Sequence, residues 1–158
     1  MLSALTSALK ANGLDLVHPF SVAVYNKAVG KELALPTFSR TSALGVLVGN
    51  SNTFWTHFVK HLRAKPAQLA ALNPLDDMVS SAIVAACEKN VSSRHEIRFA
   101  NEIAPSRVVA MQRLAHVSGF AYLDSAAYLN IHHVFGPWIA FRAVILIDED
   151  APESTQTA

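Results

Sequence analysis

Residues 131–142 read IHHVFGPWIAFR, which puts two histidines, a phenylalanine, a glycine–proline pair, a tryptophan and an arginine within twelve positions. Arg142 lies inside the run from Trp138 to Asp148, whose β-branched and aromatic residues suit a half-buried strand. Strict alternation would turn Trp138, Ala140, Arg142, Val144 and Leu146 to one face, and Ile139, Phe141, Ala143, Ile145 and Ile147 to the other. A guanidinium in that setting has two roles open to it. It can pair with a carboxylate or reach solvent past the sheet edge, or it can offer its rigid fork of donors to a carboxylate, phosphate or amide oxygen of a ligand.

Other histidines invite similar weighing. His116 stands among the small residues Ala115, Ser118, Gly119 and Ala121, which admit a bulky group close to the backbone. On composition alone it reads as a hydrogen-bonded core histidine. His57 and His61 have the helical spacing to share a metal, but no carboxylate accompanies them and a solvated face is expected. His132 and His133, as neighbours in an extended segment, are expected on opposite faces, with one of them free to line a pocket. The sequence holds no glycine-rich phosphate loop, nucleophile elbow or zinc-protease motif.

The totals narrow the classes. At 158 residues the chain is read as one domain, residues 1–148, followed by a disordered acidic tail, 149–158. A net charge of +1 with 13 scattered basic residues argues against a broad nucleic-acid-binding face. A hydrophobic content of 51% exceeds what a core of this size needs and points to an apolar pocket or a subunit interface. The lone Cys87 excludes an internal disulfide and favours a reducing, cytoplasmic setting. No apolar run approaches a membrane span, so no membrane partner is expected.

The elements that would position these residues follow from periodicity and punctuation. Leu2, Leu5, Ala8 and Leu9 predict a first helix that stops at Asn12-Gly13. Residues 21–29 predict a second helix, with Pro19 admissible near its start, and 43–50 a central strand. A helix from Phe54 to before Pro66 would take Ser51 or Asn52 as its cap, and one over 73–90 would take Asn73. HEIRFANEI reads as a strand, SRVVAMQRLAHV as a helix capped by Ser106 and broken at Gly119, and SGFAYLD as containing a short strand. Together these predict an α+β or α/β arrangement around a sheet of about four strands.

Five segments, taken in order, resemble a known family: VHPFSVAVYNK, LGVLVGNSNTFWTHFVKHL, NPLDDMVSSAI, LAHVSGFAYL and IHHVFGPWIAFRAVILI. They are similar to the cobalamin-processing CblC (MMACHC) family, the cyanide-eliminating cyanocobalamin reductases. The resemblance implies an α+β, flavin nitroreductase-like fold with a mostly antiparallel central sheet flanked by helices. It implies base-off cobalamin binding and removal of the upper ligand with reduced flavin, FMN or FAD, supplied free or by a flavin reductase. A cobalamin site of His116, Tyr122, His132, Phe135, Gly136, Trp138 and Arg142 is implied residue by residue. A non-catalytic corrinoid carrier and a nitroreductase-like enzyme with another substrate remain as alternatives, and the resemblance admits a homodimer.

The sequence departs from the family pattern in three places. Tyr122 is followed by Leu123, Asp124 and Ser125 where relatives carry further tyrosines, Pro137 replaces a second glycine, and the chain is C-terminally shortened. The later region that supplies arginines for glutathione is thus not in the sequence, and glutathione-dependent dealkylation is not expected.

Overall fold

The computed structural model describes residues 1–152. Its first element, α1 (Leu2–Ala11), buries Leu5 and Leu9, and its end is closed by backbone bonds from Asn12 and Gly13. Strand β1 (Leu16–Ser21) runs into α2 (Val22–Ala28), and β2 (Ala43–Asn50) is buried at every position. Helices α3 (Phe54–Ala64) and α4 (Pro74–Asn90) follow. Then come β3 (His95–Phe99), α5 (Met111–Val117), the short strands β4 (Tyr122–Asp124) and β5 (Leu129–Ile131), and the long β6 (Ala140–Asp150).

The main sheet has the order β1-β2-β6-β3, with antiparallel pairing throughout. Helices cover both faces, which is why β2 reads as an unbroken apolar run rather than an alternating one. On one face Val46, Val48, Ala143, Ile145 and Ile147 pack with residues of α1, α3 and α4. On the other, Leu47, Val144 and Leu146 pack with residues of α2, α5 and the chain around Phe120. Strands β4 and β5 form a separate hairpin on that second side, fastened to α5 through Asn130, whose Nδ2 donates to the carbonyls of Gln112 and Ala121.

Several expectations are corrected. Pro19 lies within β1 rather than at a helix start; as an outer strand, β1 tolerates a residue with no N–H to give. The helix expected from Ser106 begins only at Met111. Ala104–Arg107 forms a turn held by Arg107, whose guanidinium donates to Glu102, Glu96 and the carbonyl of Ile97, while Ala110 N donates to the Tyr25 hydroxyl. Asn73 precedes α4 without a side-chain bond to the helix. Ser51 serves Asp15 more than α3: Asp15 accepts from the Ser51 N–H at 2.8 Å, its hydroxyl at 2.5 Å and the Thr53 hydroxyl at 3.1 Å.

The last strand also runs further than expected. Arg40 donates to the Asp148 and Asp150 carboxylates, at 2.6 and 3.0 Å, and Ser93 donates to Glu149, so these acidic residues belong to β6 and not to a tail. Residues 153–158 of the expected tail lie outside the described residues.

Candidate functional site

The helix α5 ends because Gly119 takes a left-handed conformation, φ +76°, which a residue with a side chain enters at a steric cost. The chain then turns outward, burying Phe120 and Ala121 and leaving Tyr122 exposed. In the hairpin that follows, Asp124 accepts from the N–H groups of Ala126 and Ala127, a local turn that returns the chain along β5. A second tight reversal comes at once: His132 and Gly136 exchange both backbone hydrogen bonds at 2.8 Å, and Gly136 adopts φ +57°.

These turns gather rings. Phe120 lies 5.4 Å from His18 of β1, 4.9 Å from His132 and 6.3 Å from Phe141, between ring centroids, and Phe135 stacks on His132 at 5.3 Å. His116 meets Tyr122 edge-on at 5.6 Å at the margin of this cluster. His132 and His133 lie 4.4 Å apart. They do not diverge as expected, because residues 133–135 form a turn rather than an extended strand.

Backbone donors fix the state of two imidazoles. His116 Nδ1 accepts from Leu123 N at 3.1 Å, which leaves the proton on the exposed ring's Nε2. His132 Nδ1 accepts from Val134 N at 3.1 Å and Phe135 N at 3.4 Å. Burial, with His133 and His18 nearby, pushes the His132 imidazole below the ordinary histidine pKa. His18 is different, for its Nε2 donates to the Ser118 carbonyl at 2.9 Å.

Around this cluster the surface is apolar. Tyr122, Tyr128, Leu129, Ile131, Val134 and Trp138 are exposed, Trp138 to 76%, and they make up half of the exposed large apolar side chains among the described residues. Such a concentration within one short stretch marks a contact surface rather than scattered exposure.

Arg142 stands apart from it. Val48 pairs with Ala143 and Gly49 with Phe141, so Arg142 has no partner in β2 and occupies a bulge. The extra residue reverses the phase of the strand. Phe141 and Ile139 pack with the ring-bearing core, whereas Ala143, Ile145 and Ile147 pack on the other face. The Arg142 side chain goes to the α3 and α4 side: its Nε donates to the buried Asn50 Oδ1 at 2.6 Å and its guanidinium carbon lies 5.5 Å from the Phe54 ring. The alternation that grouped Arg142 with Val144 and Leu146 is therefore corrected.

Its remaining donors border a cleft of about 370 Å³ whose walls include Asn73, Asp76, Asp77, Ser80 and Asn101. Burial pushes the guanidinium pKa down from its ordinary value and Asp76 opposes the shift. Of the residues expected in one site, His116, Tyr122, His132, Phe135, Gly136 and Trp138 share the ring-bearing side, and Arg142 does not. Sequence reasoning missed His18, Phe120 and Phe141. A proline after His18 disguised its strand, and the bulge disguised Phe141. The spaced pair on α3 forms no site of its own: His61 hydrogen-bonds Gln68, and His57 packs beneath Gly13.

Comparison with known proteins adds a family and a fold. The family model described as the methylmalonic aciduria and homocystinuria type C family, MMACHC, matches residues 13–157. A crystal structure of a C. elegans B12-trafficking protein CblC, described as a homologue of human MMACHC, superposes with a TM-score of 0.71 at 18% identity, covering 99% of this chain and 76% of that one. No curated protein matches the sequence.

Proposed function

We propose, for a chain that belongs to the methylmalonic aciduria and homocystinuria type C family, that it binds cobalamin base-off on the ring-bearing side and supports reductive removal of the upper ligand. One observation carries this reading. Six of the residues expected to meet the corrinoid converge on the face that also exposes a concentrated apolar surface. A flat macrocycle with an apolar face and a fringe of amides suits that surface, because Tyr122 and Trp138 offer ring faces with a polar handle. The His116 Nε2–H is held ready as a donor by the bond at its other nitrogen.

The chemistry rests on the ligand's own cobalt. With the lower base detached, the metal loses a nitrogen donor and becomes easier to reduce. One electron from a reduced flavin, acting as a diffusible co-substrate, takes cobalt from Co(III) to Co(II), and cyanide leaves with its bonding pair. The protein's share is to hold the base-off form, present the upper face and keep water away from it with apolar side chains.

A second reading, a corrinoid carrier without turnover, is favoured by the openness of the same face: His116, Tyr122 and Trp138 are all exposed. A second copy seated on the apolar rim would exclude water from it, and gel filtration with and without corrinoid tests that pairing.

Visible-absorbance titration of cyanocobalamin and methylcobalamin decides first. The expected result is the shift to shorter wavelength of base-off corrinoid; no shift at protein concentrations well above the corrinoid overturns the binding proposal. Anaerobic addition of reduced FMN is then expected to yield Co(II) corrinoid over repeated turnovers. A bound but unreacted corrinoid would leave the carrier.

A further inference from the structure

We propose that His132 is a positioning residue that clasps the 132–138 segment through its neutral ring, so that the face bearing Phe135 and Trp138 is built at neutral pH and loosened by acid. The inference of a clasp stands on geometry alone; its effect on corrinoid rests on the reading given above.

The reversal at 132–136 holds three backbone N–H groups that need acceptors at close quarters. Gly136 N finds the His132 carbonyl, and Val134 N and Phe135 N both find the His132 Nδ1. A side chain accepting from N–H groups two and three residues ahead is the arrangement that Asn and Asp side chains give to turns, with an imidazole nitrogen in place of an oxygen. The difference is that this acceptor can be switched off. Protonation at Nδ1 removes both acceptor bonds together and places a like charge where two N–H dipoles point inward.

The surroundings oppose that charge. His132 is 7% exposed and its ring lies against Phe120 and Phe135. The titratable groups that face it are His133, beside it in the turn, and His18 from β1, both of which become cations over the same pH range; the rest of its contacts are aromatic. His18 is not itself a clasp, because its Nε2 donates to Ser118 and protonation leaves that bond intact. His116 accepts from Leu123 and can report on the hairpin, so it serves as a control. The segment held by His132 ends in Trp138, which donates its N–H to the Phe135 carbonyl at 3.1 Å.

The direction of the pH effect follows. An imidazole held neutral in the folded state adds stability above its unfolded pKa of about 6.5, and this is lost as pH falls through the lower folded value. The segment therefore opens below neutrality while the main sheet, whose strands it does not include, stays folded.

The test uses the emission of Trp138 in a Trp55→Phe background, which removes the other tryptophan. Between pH 8 and 4.5 we expect a transition in emission with a midpoint below about 6.5 while far-UV ellipticity is constant. His132→Asn, which keeps an acceptor that does not titrate, is expected to retain the neutral-pH emission and lose the transition. His132→Ala is expected to show the acid-form emission at every pH. His133→Gln, His18→Gln and His116→Gln are expected to retain the transition. Absence of the transition in the wild-type clasp, its persistence in His132→Asn, or its coincidence with loss of ellipticity overturns the proposal.

Cyanocobalamin supplies the second readout. Affinity is expected to fall about tenfold between pH 7.5 and pH 5 with His132 and to stay level with Asn. Equal affinity at both pH values despite the emission change overturns the link to ligand binding. Failure to bind at either pH removes the cobalamin reading, while the emission titration still decides the clasp.

Discussion

On one side of the main sheet Val46, Val48, Ala143, Ile145 and Ile147 meet only the apolar side chains of α1, α3, α4 and their surroundings, and the layer is closed. On the other, the packing of Leu47, Val144 and Leu146 gives way outward to His18, Phe120, His132 and Phe135, and then to exposed Tyr122, Ile131, Val134 and Trp138. The first side exchanges apolar surface for stability. The second has polar nitrogens at fixed points and apolar surface left uncovered. The difference locates the burden of folding on one layer and recognition on the other, and it puts Arg142 in the folding layer.

Substitutions can break that division. Ile145→Ala, in the closed layer, is expected to cost about 2–5 kcal/mol in denaturant unfolding, while corrinoid affinity at a temperature where the variant stays folded is unchanged. Arg142→Ala leaves the buried Asn50 Oδ1 without its donor and is expected to cost about 1–3 kcal/mol, with corrinoid affinity changing by less than about threefold. A tenfold loss of affinity at unchanged stability would return Arg142 to the recognition layer. Trp138→Ala should do the opposite: unfolding free energy within about 0.5 kcal/mol of the parent and a clear loss of corrinoid affinity by absorbance titration.

Two finer tests sharpen the closed side. For Asp15, burial raises the pKa but is outweighed by the bonds from Ser51 and Thr53, so its pKa lies below the ordinary value. Its contribution to stability is full above the unfolded pKa and lost as pH falls through the lower folded one. Asp15→Asn is expected to flatten the acid limb of a stability–pH curve and to leave the limb near neutrality alone. Burial pushes the Cys87 thiol up to about 11, so at pH 8 a thiol reagent should react only after denaturant unfolds the closed layer.

Most of the elements were legible in the sequence. The unbroken run 43–50 gave away a central strand covered on both faces, and Asn73-Pro74 with two aspartates marked the start of α4, although the asparagine side chain turned out to cap nothing. What stayed hidden has particular causes. Pro19 disguised β1, because a proline excludes a central strand but not an outer one. The three-residue strands of the hairpin are too short to show a period, and their turn is set by Asp124 rather than by a glycine. The face of Arg142 could not be read because alternation assumes an unbroken register, and one unpaired residue reverses it. Of the site, the residue types were readable and their grouping largely so, whereas His18 and Phe141 depend on pairings made across the chain.

The two outer strands of the main sheet have a further consequence. Strand β1 carries Pro19, which removes a donor from its backbone, and β3 carries Glu96 and Arg98, tied to each other at 2.7 Å and, through Glu96, to Arg107. A proline on one border and a charged network on the other both discourage the addition of a foreign strand. The sheet is thus poorly suited to growth by edge-to-edge stacking, and a protein with so apolar a composition is guarded against ordered aggregation at the borders where β structure most readily spreads.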